Sequence, residues 1–211
     1  MENRPVPQLG VLISGRGSNL GALADAIDDG RLRAAIAIVI SNRPDAPGLE
    51  LARSRGIPTA VVKHRDYESR DAFDAALAEQ LRAHGVQLVC LAGFMRRLGP
   101  AFCAAFPQAV LNIHPSLLPA FTGADAQRQA LEHGVRFTGA TVHFVTPELD
   151  AGPIVMQAAV PIEDHDTVET LSARILVEEH RLYPEAVRRV LDDSWHFDGR
   201  RVVFESQRRR V

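Results

Sequence analysis

The sequence predicts an α/β protein: a doubly wound, mostly parallel, Rossmann-like sheet with helices on both faces. Three observations carry that expectation. Apolar runs of strand length alternate with segments of helical period through the first half of the chain. Those runs are almost unbroken, as in strands buried on both faces rather than half-solvated ones. A glycine-rich turn also separates the first run from the first helix, where parallel sheets expose their ligand loops.

The elements follow in order. Residues 9–13 form a first apolar strand, and residues 19–29 a helix that ends near Gly30. Residues 34–40 are a second strand; residues 47–55 are a short helix stopped by Gly56; residues 59–62 are a third strand. Residues 68–84 carry Phe73, Leu77 and Leu81 on one helical face, and Gly85 ends the helix. The fourth and fifth strands span residues 87–91 and 109–113. After Pro119 the pattern changes: a short helix at 125–133, then a strand in which Ala140, Val142 and Phe144 alternate with Thr141, His143 and Val145. A strand at 154–160 and a long helix at 167–191 follow, the helix kinked or broken at Pro184. Residues 195–204 form a terminal hairpin around Asp198-Gly199.

Composition limits the function classes. With 211 residues, 46% hydrophobic and 24% charged, the chain suits one globular domain with a full core. A net charge of −2 favours neither nucleic acid nor an anionic membrane, and the basic Arg208-Arg209-Arg210 run is short. Two cysteines build no disulfide framework and no zinc site, and Cys90 lies inside an apolar run, so a buried, reduced thiol is expected. Residues 1–8 are polar and contain no apolar segment suited to export or anchoring, which makes the cytoplasm the expected compartment.

Two segments carry chemistry. In Ser14-Gly15-Arg16-Gly17-Ser18-Asn19 the two glycines permit a tight turn that brings backbone N–H groups toward an anion, with Ser18 or Asn19 expected to cap the helix. The spacing matches neither the dinucleotide fingerprint nor a P-loop. In Asn112-Ile113-His114-Pro115-Ser116-Leu117-Leu118-Pro119 a strand delivers an amide and an imidazole two residues apart, hence to one face, before Pro115 ends the ladder. That pairing suits polarising a carbonyl and moving a proton.

These segments, with Leu91-Ala92-Gly93-Phe94-Met95-Arg96, Glu148-Leu149-Asp150-Ala151-Gly152-Pro153 and Glu179-His180-Arg181-Leu182-Tyr183-Pro184, resemble the phosphoribosylglycinamide formyltransferase family over about residues 9–204. The resemblance implies one domain over 1–211, in which about 9–113 binds phosphate and about 114–204 completes the folate and catalytic site. It implies formyl transfer from 10-formyltetrahydrofolate, as co-substrate and without a metal, to the amine of a phosphoribosylated glycinamide. Its partners would be small molecules, and its assembly a monomer or homodimer. Carried over by position, Gly17, Ser18 and Asn19 would hold the phosphate and Glu179 the ribose hydroxyls. Arg70 would meet the folate glutamate; Met95, Arg96, Arg97 and Leu98 would read the pterin edge, with Asn112, Val145 and Asp150 closing that pocket. Asn112, His114 and Asp150 would be catalytic: two donors for an oxyanion, and a carboxylate that favours the imidazolium and fixes the ring.

The chain departs from the family pattern at three places, one of them the extra charges Arg16 and Arg97 beside the sites. Residues 120–127 contain no histidine, where many members carry one or two, and Leu176 stands where members carry Lys or Gln. A 10-formyltetrahydrofolate hydrolase would use the same Asn/His/Asp set with water as acceptor. The related hydrolases carry an extra N-terminal domain and the tRNA-formylating enzymes a C-terminal barrel; this sequence is expected to have neither.

Overall fold

The computed structural model describes residues 5–205; the Arg208-Arg209-Arg210 run and residues 1–4 lie outside them. One nine-stranded sheet has the order β3-β2-β1-β4-β5-β6-β7-β9-β8. Its first five strands, β1 (Gln8–Ile13), β2 (Ala35–Ser41), β3 (Thr59–Val61), β4 (Leu88–Leu91) and β5 (Val110–His114), all pair in parallel. The direction then reverses: β6 (Phe137–Phe144) is antiparallel to both β5 and β7 (Ile154–Pro161). The expected terminal hairpin is present as β8 (Trp195–Asp198) and β9 (Arg201–Phe204), with β9 joined to β7.

Strand side chains alternate faces, and the core divides accordingly. On one face Leu9, Val11 and Ile13 pack with α1 (Ser18–Asp28), α2 (Pro47–Ser54) and α6 (Val168–Asp192). On the other, Leu12, Ile38 and Val89 pack with α3 (Arg70–Ala83) and α4 (Pro100–Ala105). The short α5 (Ala126–Glu132) lies in the return from β5 to β6. Cys90 is fully buried in the first core, where burial pushes its thiol up to about 12 and leaves it unreactive.

Two expectations need correction. The helix α6 runs for 25 residues without a break at Pro184. Its inner face is fixed by Leu171, Ile175, Leu182, Tyr183, Ala186 and Val187, and that burial outweighs a proline penalty of about 3 kcal/mol. The six-residue α4, with Pro100 in its first turn, was not foreseen, because it is too short to show a helical period.

Strand order reverses at β1, whose neighbours are β2 and β4. Loops leaving the C-terminal ends of β1 and β4 therefore diverge and open a crevice, the position at which such sheets bind ligands. Tyr183 braces this region from below: its hydroxyl lies 3.1 Å from the carbonyls of both Leu91 and Leu111, at the ends of adjacent strands. We expect Tyr183→Phe to lower stability by about 1 kcal/mol, measured by urea denaturation. An unchanged midpoint would remove this brace from the account.

Candidate active site

The turn at residues 14–17 leads from β1 into α1. Gly17 is the N-cap residue in the left-handed region, φ 75°, and makes no side-chain cap bond. This corrects the expectation that Ser18 or Asn19 caps the helix: both lie within its first turn. A Cβ on Gly17 would come within 2.8 Å of the Gly48 Cα, and the Gly48 N–H donates to the Gly15 carbonyl at 3.0 Å. The first turn of α2 therefore abuts the loop backbone to backbone, which only glycine allows. With no side chain capping α1, its first-turn N–H groups border a cavity of about 660 Å³.

Across that cavity stands α6, contributing Val168, Glu169, Ser172, Ala173, Leu176 and Glu179. Asn19 Nδ2 donates to Glu179 Oε2 at 2.7 Å, with both residues buried. Burial raises the Glu179 carboxyl above the usual carboxylate range, and the Asn19 hydrogen bond opposes that shift. Asn19 Oδ1 is buried and has no hydrogen-bond partner among the described residues, which leaves an unmatched acceptor beside this cavity. Leu176 presents an apolar surface on this wall, and Arg16 stands exposed at the rim.

A second cavity, about 90 Å³, is lined by Leu91, Phe94, Arg96, Arg97, Leu98, Asn112, His143, Val145 and Asp150, among others. The segment 93–99 runs between the two cavities. Its Met95 N–H donates to Ser14 Oγ at 2.8 Å, and Ser14 passes its own proton to Asn42 Oδ1 at 2.6 Å. The backbone N–H and C=O groups of Arg96, Arg97 and Leu98 have no protein partner among the described residues. They form a free polar edge along the smaller cavity, suited to a heterocycle with its own donors and acceptors.

Between the cavities ends β5. Asn112 pairs across the ladder with His143 of β6, and Asn112 Nδ2 lies 3.2 Å from His143 Nε2. His143 Nδ1 lies 2.9 Å from the Phe144 carbonyl, which can only accept, so Nδ1 carries the proton and Nε2 accepts from Asn112. Burial lowers the His143 pKa and keeps this ring neutral. One Asn112 N–H is thus committed to His143 and the other is free.

His114 Nε2 lies 2.8 Å from the Phe121 carbonyl and must donate to it. Its Nδ1 faces Asp150 Oδ2 at 3.6 Å, an ion-pair separation rather than the expected hydrogen bond. That oxygen is instead held by the Gly123 N–H at 2.8 Å, so Asp150, at φ 50°, is tied to residues 120–125. A directed amide donor and an imidazole at one strand end, with a carboxylate from a neighbouring loop, are groups of the kind that acyl-type transfer through an oxyanion requires.

The structure brings Gly17, Ser18, Asn19 and Glu179 together at the large cavity, and Arg96, Arg97, Leu98, Asn112, Val145 and Asp150 together at the small one. Met95 borders the large cavity instead and is 74% exposed, and Arg70 lies outside both, its guanidinium packed near Gly99. Sequence reasoning gave no individual role to Ser14, which holds the Met95 N–H, or to His143, the partner of Asn112, and did not place Gln127 on the wall of the large cavity. For His143 the signal was its position opposite Asn112, visible only once β6 is known to run antiparallel to β5. Among the described residues, no group of three or more His, Cys, Asp and Glu is placed to hold a metal ion, and no helix is long and apolar enough to cross a membrane.

Comparison with known proteins agrees with this geometry. The formyl transferase family model matches residues 8–187. Phosphoribosylglycinamide formyltransferase of Escherichia coli (strain K12) is 43% identical over 93% of this chain and 90% of its own length. The crystal structure of glycinamide ribonucleotide transformylase 1 from Symbiobacterium toebii superposes with a TM-score of 0.93 at 56% identity, covering 94% of each chain. The trifunctional purine biosynthetic protein adenosine-3 of Bos taurus is 49% identical over 87% of this chain, which spans only 18% of that relative's length. A formyltetrahydrofolate deformylase from Pseudomonas syringae is more distant, at 29% identity with 66% of that chain covered and a TM-score of 0.88. The chain belongs to the formyl transferase family.

The raised Glu179 carboxyl has a stability consequence. The folded state holds this proton more tightly than the unfolded state, so its contribution is most favourable below the ordinary carboxylate pKa of about 4.3. That contribution is lost as pH rises through the raised folded value. We expect Glu179→Gln, which keeps an acceptor for Asn19, to be more stable than wild type at pH 7, with the difference vanishing near pH 4. Denaturation curves that run parallel over that range would contradict the assignment.

Proposed function

We propose that this chain transfers the formyl group of 10-formyltetrahydrofolate to the glycinamide amine of N1-(5-phosphoribosyl)glycinamide, a step of de novo purine biosynthesis. One observation carries this reading. The β5 end sets Asn112 on the wall of a small cavity edged by unpaired backbone, beside a large cavity headed by a helix N-terminus, with His114 buried two residues further on. The large cavity and the small one take different ligands. The former suits a phosphoribosyl group: anion at the α1 N-terminus, hydroxyls at Asn19 Oδ1 and Glu179. The latter suits a flat heterocycle along residues 96–98, with Arg70 as the basic group for the folate glutamate.

The amine nitrogen attacks the formyl carbon, the bond from that carbon to N10 breaks, one proton leaves the amine and one arrives at N10. The free N–H of Asn112 donates to the oxygen as it gains charge. His114 supplies the second donor and relays the proton: withdrawal of the Phe121 carbonyl exposes Nε2–H, and Asp150 across from Nδ1 stabilises the ring when charged. Phe121 is itself in the left-handed region, φ 56°, a backbone state held at some cost, so residues 120–125 are suited to rearrange when substrate enters.

Hydrolysis of the same donor, with water replacing the amine, is the alternative. The large cavity and its helix N-terminus favour transfer, because water as acceptor has no phosphate to place there. Incubation with 10-formyltetrahydrofolate, with and without the phosphoribosylglycinamide, separates the two. The transferase reading expects the acceptor to gain one formyl group by mass, with little donor loss in its absence; equal donor loss in both would make the protein a hydrolase.

Because His114 is placed on the transition state, we expect His114→Ala to lower kcat by roughly 10²–10⁴ while both substrates bind within a few-fold of wild type. Calorimetry that shows affinity falling as far as kcat would assign His114 to binding instead.

A further inference from the structure

Within the segment 93–99, two backbone N–H groups are held by side chains from elsewhere: Met95 by Ser14, and Gly99 by Asp74. Asp74 belongs to α3, is 1% exposed, and accepts the Gly99 N–H at 2.6 Å through Oδ2. Its other oxygen, Oδ1, is buried with no hydrogen-bond partner. An apolar residue would avoid the cost of burying an acceptor unmatched, so a purely structural role leaves this carboxylate unexplained.

The surroundings point elsewhere. Arg70 lies one helical turn before Asp74 on the same face of α3. A Cβ on Gly99 would lie 3.0 Å from Asp74 Oδ2 and 3.3 Å from Arg70 Nε, so carboxylate and guanidinium both lie against the turn backbone at Gly99. Burial raises the Asp74 carboxyl above its ordinary value, a shift that the Gly99 N–H and then the Arg70 and Arg96 guanidiniums oppose. The free backbone edge at residues 96–98 begins immediately before this point.

We propose that Asp74 is a positioning residue for the folate: through the Gly99 N–H it fixes the 96–98 backbone in its place beside the Arg70 guanidinium. The two ends of one ligand, heterocycle and glutamate carboxylate, are then read from a single anchored origin. This rests on the reading above that residues 96–98 and Arg70 contact the folate. Asp74 itself touches no ligand, since both its oxygens lie beneath the turn. Its loss is therefore felt in folate affinity and in the mobility of residues 95–99, and not at the phosphate loop.

The test compares Asp74→Ala and Asp74→Asn in the full chain, with tetrahydrofolate and the phosphoribosylglycinamide titrated separately by calorimetry and amide exchange followed without ligand. For Asp74→Ala we expect faster exchange at Gly99 and residues 95–98, tetrahydrofolate affinity weaker by roughly 10- to 100-fold, the loss of one hydrogen bond to a charged group, and phosphoribosylglycinamide affinity within about two-fold. Under turnover the folate KM rises by more than kcat falls. Asp74→Asn still offers an oxygen to the Gly99 N–H and restores both slow exchange and most of the affinity. Should Asp74→Ala not fold, Gly99→Ala forces the same pair apart and should show the same selective loss. Wild-type folate affinity in a folded Asp74→Ala, equal loss for both ligands, or an Asp74→Asn as impaired as Asp74→Ala would each overturn the role. A wild-type protein that does not bind tetrahydrofolate would overturn the folate reading, and this role with it.

Discussion

The reversal of strand direction between β5 and β6 governs how the proposed catalytic site is assembled. Antiparallel pairing sets Asn112 directly opposite His143 and His114 opposite Thr141. Because the Phe144 carbonyl takes the Nδ1 proton, His143 can only accept at Nε2, and the Asn112 amide is turned to donate. An amide left to rotate would present oxygen as readily as nitrogen to an incoming carbonyl, and only the nitrogen can stabilise an oxyanion. Thr141 works on the other half of the strand end: its hydroxyl donates to the Ser116 carbonyl and accepts from the Leu118 N–H. The chain beyond His114 is thereby pinned where it leaves the sheet.

The parallel half of the sheet supplies location instead of chemistry. The loops after β1 and β4 part at the point where strand order reverses, and Ser14 ties them together through Met95. A ligand in either cavity thus leans on a segment that is anchored to the fold at Met95 and Gly99, which limits the ordering cost of binding. The long helix α6 closes the large cavity and places Glu179 against Asn19 across 160 residues of sequence. A capping box at Thr167 and Thr170, together with the apolar face packed on the sheet, fixes its position.

The parallel strands and most helices were legible in the sequence because their patterns are local: unbroken apolar runs, four-residue spacing at Phe73, Leu77 and Leu81, glycine after the helix ends. The grouping of Gly17, Ser18 and Asn19 with Glu179 came from the family resemblance, and the structure supports it with one buried hydrogen bond. What escaped was decided by long-range geometry. The cap at Gly17 follows from its approach to Gly48, and the unbroken helix through Pro184 follows from packing that no local propensity records. His143 looked like one more alternating strand residue, because its partner depends on register. Asp74 was invisible for the same reason, since the N–H it holds lies 25 residues away.

The central claim is that a neutral His143, protonated at Nδ1, aims the Asn112 amide. Nitrogen NMR of the imidazole rings in the ligand-free protein tests it directly. His143 is expected to show a protonated Nδ1 and an unprotonated Nε2 at pH 7, and to keep that state as pH falls below the ordinary imidazole value of about 6.5, because burial lowers its pKa. A ring protonated at Nε2, or one already charged at pH 7, would contradict it, since Asn112 would then have to turn its oxygen toward His143.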